Sequence, residues 1–108
     1  MNIIKKAVIT FFMAMSLAAS SAAFAEDPAA QAIAHIEQAL TAVSKGDFNA
    51  SYIHLKSARA SSDQIVGNEA AVKQAYLSLI QAQILGKSAD TAKTTAELNK
   101  ALGLYKKI

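Results

Sequence analysis

Residues 33–58 read IAHIEQALTAVSKGDFNASYIHLKSA, and this stretch decides the fold. Ile33, Ile36, Leu40 and Val43 recur three, four and three residues apart, which lays an apolar stripe along one side of a helix. The stripe stops at Gly46, a residue suited to the left-handed conformation that ends helices. Asp47 follows, placed to cap a second helix that presents Phe48, Tyr52, Leu55 and Ala58 at similar spacing. With so short a turn between them, the two helices must lie antiparallel.

The same logic extends in both directions. Asp27-Pro28 marks the start of the first helix, since Asp caps free N–H groups and Pro fits the first helical position. The second helix frays into Ser61-Ser62-Asp63, with the connection ending near Gly67. Asn68 is then expected to cap a third helix carrying Val72, Tyr76, Leu79 and Gln83, flanked by Ala75, Ile80 and Ile84. Gly86 is expected to stop that helix. Ser88 is expected to open a fourth, with Ala92, Thr95, Leu98, Leu102, Tyr105 and Ile108. No segment alternates with the two-residue period of a strand. The prediction is all-α: an antiparallel up-down-up-down four-helix bundle made of two helical hairpins. The glycines at the two turns stand 40 residues apart, and His54-Leu55-Lys56-Ser57-Ala58 echoes Glu97-Leu98-Asn99-Lys100-Ala101. A degenerate duplication of one hairpin accounts for both.

Residues 1–25 have a different character. Lys5 and Lys6 precede an uncharged run from Ala7 to Ala25, strongly apolar around Phe11, Phe12 and Met13. The run closes in small residues, ending Ala23-Phe24-Ala25. A basic start, an apolar centre and an Ala-x-Ala ending match an export signal, with cleavage expected after Ala25. The apolar centre is about ten residues, too short for the roughly 20 that span a bilayer. The expected domain is therefore 26–108, located in the periplasm and free of the membrane after cleavage.

Removing 25 of the 108 residues leaves 83, with nine basic and eight acidic side chains. Net charge falls from +3 to +1, so nothing in the electrostatics calls for nucleic acid. There is no cysteine, which excludes disulfides, thiolate metal cages and a lipidated anchor. No Gly-x-Ser-x-Gly turn or phosphate-binding glycine loop is present. Asp47, Asp63, Glu69 and Asp90 fall near helix starts, where carboxylates favour the helix dipole. A monomeric, non-enzymatic protein is expected.

Chemistry rests on two histidines. His35 lies eleven residues before Gly46 and His54 eight after it. In an antiparallel hairpin they stand at similar height, about three residues or roughly 4.5 Å apart along the axis. Imidazoles facing across such a seam can ligate Cu, Ni or Zn, with a carboxylate to complete the set. Glu37 is one candidate carboxylate; Glu97 is the other, because the repeat puts it where His54 sits. Solvent-facing boundary histidines are the alternative.

The run His35-Ile36-Glu37-Gln38-Ala39, the turn Lys45-Gly46-Asp47 and His54-Leu55-Lys56 together resemble the small metal-binding protein family. That resemblance implies an exported, histidine-rich four-helix bundle of the bacterial periplasm that binds divalent metal. Ala82, Gly86-Lys87 and Ala101-Leu102 resemble the family's second hairpin. The family is dense in histidine along all four helices, whereas here only His35 and His54 match, so the resemblance implies weak binding of few ions. Gly46-Asp47-Phe48 with Leu55 and Ala58 also resembles a tetratricopeptide repeat, which would imply a protein-interaction module without metal. The 40-residue spacing, against the usual 34, and the lack of a closing Pro depart from that pattern.

Overall fold

The computed structural model describes residues 27–108; the expected export signal, 1–25, lies outside them. Four helices make up the described chain: α1 (Pro28–Ser44), α2 (Phe48–Ser62), α3 (Glu69–Lys87) and α4 (Thr91–Lys106). They form the expected all-α four-helix bundle, and no strand occurs among the described residues. Each helix packs on two others: α1 on α2 and α4, α3 on α2 and α4. The ring is closed. Three-residue turns reverse the chain between α1 and α2 and between α3 and α4. Gly86 at the end of α3 stands beside Phe48 at the start of α2, while Arg59 near the end of α2 reaches Tyr76 in mid-α3, so these two also run in opposite directions. No described helix is long and apolar enough to cross a membrane.

The core is narrow because it is built from small residues. Ala32, Ala39, Ala58, Ala75, Ala82 and Ala101 are completely buried, with Ile36, Leu55, Leu79 and Leu98 between them. Each of those four larger side chains contributes about 1.5–3 kcal/mol on leaving water. Tyr105 crosses the core to donate its hydroxyl proton to Ser62 Oγ at 2.7 Å. Burial pushes the Tyr105 phenol up from its ordinary pKa, and the bond to Ser62 works in the opposite direction.

The second hairpin repeats the first at an interval of 43 residues, the separation of Ser62 and Tyr105. Ala32 corresponds to Ala75, Ile36 to Leu79, Ala39 to Ala82, Ser51 to Thr94, Leu55 to Leu98 and Ala58 to Ala101, and every member is buried. The turns repeat as well. Asp47 accepts from Ala50 N–H at 3.0 Å and Asp90 from Lys93 N–H at 3.0 Å. The backbone bonds from Gly46 to Val43 and from Ala89 to Gly86 are equivalent, at 2.9 and 3.0 Å. The glycine interval of 40 thus misses the structural repeat. The left-handed residue of the second turn is Ala89, φ 55°, in the place of Gly46, φ 76°.

Several other expectations need correction. Gly86 lies inside α3, which continues to Lys87, and the cap of α4 is Asp90 rather than Ser88. Asn68 precedes α3 but is itself left-handed, and its side chain makes no capping bond. Asp27 likewise makes no side-chain cap. On α2 the buried line is Ser51, Leu55, Ala58 and Ser62, leaving Tyr52 41% exposed. On α3 Ala75, Ser78 and Ala82 join Leu79 and Gln83 in the buried set.

A Cβ in the left-handed region costs about 1–2 kcal/mol. Glycine removes that strain while adding about 0.4–1 kcal/mol of unfolded-chain entropy. Ala89→Gly should therefore stabilise the protein by about 0.5–1 kcal/mol, and Gly46→Ala should destabilise it. Urea unfolding checks this through the transition midpoint at unchanged slope; a lower midpoint for Ala89→Gly contradicts it.

Candidate functional site

His35 and His54 project from α1 and α2, the two helices joined by the Gly46-Asp47 turn. Each follows the heptad logic of its neighbour. Ile36 and Leu55 are buried in the core, so the residue just before each falls at the edge of the α1–α2 seam, and both histidines are half-buried. His35 Nδ1 lies 3.3 Å from Gln38 Oε1, one turn along α1, an arrangement in which the ring nitrogen donates. The rings are near enough to act on each other electrostatically. His54 has its pKa lowered by partial burial first and by the neighbouring His35 second, with Asp47 pulling the other way. Loss of hydration disfavours the imidazolium, and a second imidazolium across the seam disfavours it further. His54 is therefore neutral at pH 7, the protonation state with a lone pair to offer.

The two carboxylates do not join this pair. Glu37 is exposed on α1. Glu97 is engaged with Lys100 on its own helix at 4.0 Å. Among the described residues, no three His, Asp or Glu side chains gather so as to hold a metal ion. At the 43-residue interval His35 corresponds to Ser78 and His54 to Glu97, so the imidazole pair belongs to the first hairpin alone.

A second polar constellation, not singled out by the sequence reading, lies across the α2–α3 seam. Arg59 Nη1 donates to Gln83 Oε1 at 2.9 Å and Nε donates to the Tyr76 hydroxyl at 3.2 Å. The guanidinium carbon stands 5.2 Å from the centre of the Tyr76 ring, within cation–π range. Arg59 is the only arginine of the chain. The only ion pair among the described residues is Lys100–Glu97, so no carboxylate neutralises Arg59. Gln83 is buried, and its Nε2 has no acceptor. Beside it opens a cleft of about 400 Å³ lined by Phe48, Ser51, Tyr52, Leu55, Gln83 and Gly86, among others. The signal available in the sequence was the isolated arginine itself.

The depressed His54 pKa sets a pH dependence. The unfolded chain takes up a proton near pH 6.5, while folded His54 resists until lower pH. Stability is thus fully present above about pH 6.5 and declines as pH falls through the window between the two values. Wild-type protein should show a lower urea midpoint at about pH 5 than at about pH 7.5, and His54→Gln should narrow the gap. Equal midpoints for wild type at both pH values would contradict the assignment. No family model, no curated protein and no solved structure matches the chain, which leaves the side-chain geometry to carry the functional reading.

Proposed function

We propose that this chain is an exported, periplasmic, non-catalytic helical-bundle protein, resembling the small metal-binding proteins, that takes a divalent Cu, Ni or Zn ion weakly at His35 and His54. The single observation that carries this reading is the placement of the two half-buried imidazoles on adjacent helices α1 and α2, close enough for His35 to help lower the His54 pKa. Two imidazoles on adjacent helices are a chemically competent pair of nitrogen ligands. With no third protein ligand gathered beside them, water must fill the remaining positions, and affinity stays low. Such a site suits reversible, low-stoichiometry uptake. The protein-interaction alternative rests on tetratricopeptide-like hairpins, which stack into an open array. Packing of α1 on α4 closes the ring here and supports the bundle reading.

Calorimetric titration of the mature protein with Cu(II) should show about one ion per chain with a dissociation constant between micromolar and millimolar. The His35→Ala/His54→Ala double variant should lose that heat. Identical isotherms for the two proteins would overturn the proposal. Export has its own check: intact mass of protein recovered from the periplasm should correspond to a chain beginning at Glu26. Recovery of chain beginning at Met1 would overturn it.

A further inference from the structure

The bundle has two seams that its internal repeat makes equivalent, α1–α4 and α3–α2. They should be alike, and they are not. At the 43-residue interval Arg59 corresponds to Leu102, Tyr76 to Ile33 and Gln83 to Leu40. Leu102, Ile33 and Leu40 are partly buried hydrophobics packed against the core. On the other seam the same three positions hold the guanidinium, phenol and amide described above. Gly86, corresponding to Val43, removes the side chain that would close the space next to Gln83; a Cβ there would stand 3.8 Å from Phe48 Cδ1. The core positions of the repeat are kept, while at one seam a guanidinium, a phenol and an amide stand where the other has aliphatic side chains.

We propose that the α2–α3 cleft is a binding site for a small apolar monocarboxylate, such as a medium-chain fatty acid. Its volume of about 400 Å³ falls within the range of about 300–1,000 Å³ usual for small-molecule sites. Phe48, Tyr52 and Leu55 give it apolar walls, and Gly86 gives it depth. On its lining stands one donor in need of an acceptor, Gln83, with the Arg59 cation bonded to the far side of the same amide. Gln83 Nε2 is buried with no partner, an arrangement that costs free energy until an acceptor arrives. Arg59 has no carboxylate partner, only the neutral amide oxygen of Gln83 and the Tyr76 hydroxyl. A carboxylate has the lone pairs to accept from Gln83 Nε2, and its charge then sits one side chain away from the uncompensated guanidinium that Gln83 Oε1 binds. A neutral ligand of the same shape satisfies neither charge nor geometry. Lys87, also on the lining, adds a second positive charge. This site lies on the α2–α3 seam and uses neither His35 nor His54.

The test is a titration of the mature protein with octanoate, followed by amide chemical shifts and by calorimetry, with octan-1-ol and acetate as comparison ligands. Octanoate should saturate one site, moving amides of α2 and α3 near Phe48, Leu55, Gln83 and Gly86. Octan-1-ol should bind at least about tenfold more weakly, the difference expected for losing the charge of the accepting oxygen beside Gln83 and Arg59. Acetate, lacking the chain, should show no saturation over the same range. Arg59→Gln should weaken octanoate at least about tenfold. Because Arg59→Gln also alters the seam, Gly86→Val serves as a second variant: it places at 86 the residue found at the equivalent position 43. Gly86→Val should unfold at a midpoint no lower than wild type and should lose octanoate binding. Absence of octanoate binding, equal affinity for octan-1-ol, or unchanged affinity in both variants would overturn the proposal.

Discussion

Close approach of the four helices is the constraint on which everything else in this molecule depends. Six alanines with no exposed surface occupy equivalent places in the two hairpins, at positions 32, 39 and 58 and again at 75, 82 and 101. A methyl group buries little area on its own, so the return comes from letting neighbouring backbones and the four large aliphatic side chains interlock. Tyr52, Ile53, Leu77 and Ile84 are each at least 41% exposed although hydrophobic, while alanines and serines hold many of the buried places on the same helices. With a core this lean, stability depends on the two Asp-capped turns that hold each hairpin in register.

Much of the architecture was legible from the first hairpin. The stripe of Ile33, Ile36, Leu40 and Val43, the left-handed Gly46 and the cap at Asp47 are local signals, and each appears in the structure as read. What failed was the transfer of those signals to the second hairpin. Gly86 looks like a turn residue, yet it lies inside α3 beside Phe48, and the left-handed position falls on Ala89. Alanine carries no sequence signature for that conformation, so the repeat read as 40 residues instead of 43. Asn68 shows a related ambiguity: the residue type favours both a capping side chain and a left-handed backbone, and here the backbone role prevailed.

Side-chain chemistry was legible only where a turn fixed the register. Counting from Gly46 placed His35 and His54 beside each other, and their mutual electrostatic influence agrees with that count. Glu97 was attached to the pair through the repeat, but equivalence by repeat places a residue on the other hairpin rather than beside its counterpart. Its neighbour is Lys100, one turn away. Arg59, Tyr76 and Gln83 come from two helices joined by the longest connection of the described chain, where no spacing rule fixes the facing residues. Their convergence is a product of how the hairpins dock.

That docking separates what the repeat must keep from what it can vary. A core residue such as Leu55 or Leu98 faces the interior shared by all four helices, so replacing it disturbs every packing surface at once. A seam residue touches one neighbour and solvent. Substituting Leu102 and Leu40 chemistry by Arg59 and Gln83 therefore perturbs a single helix pair, and the Arg59–Gln83 and Arg59–Tyr76 hydrogen bonds restore part of the adhesion that aliphatic contact would have supplied. The compensation is incomplete at Gln83 Nε2, which stays buried without an acceptor. A few per cent of buried polar groups are left this way in folded proteins, and each is a local sacrifice of stability. Here the sacrifice sits beside the one arginine without a counter-charge and beside a cleft opened by glycine. Three departures from the repeat at one place, each costly or neutral for packing, have a common rationale only if that seam is shaped for a ligand.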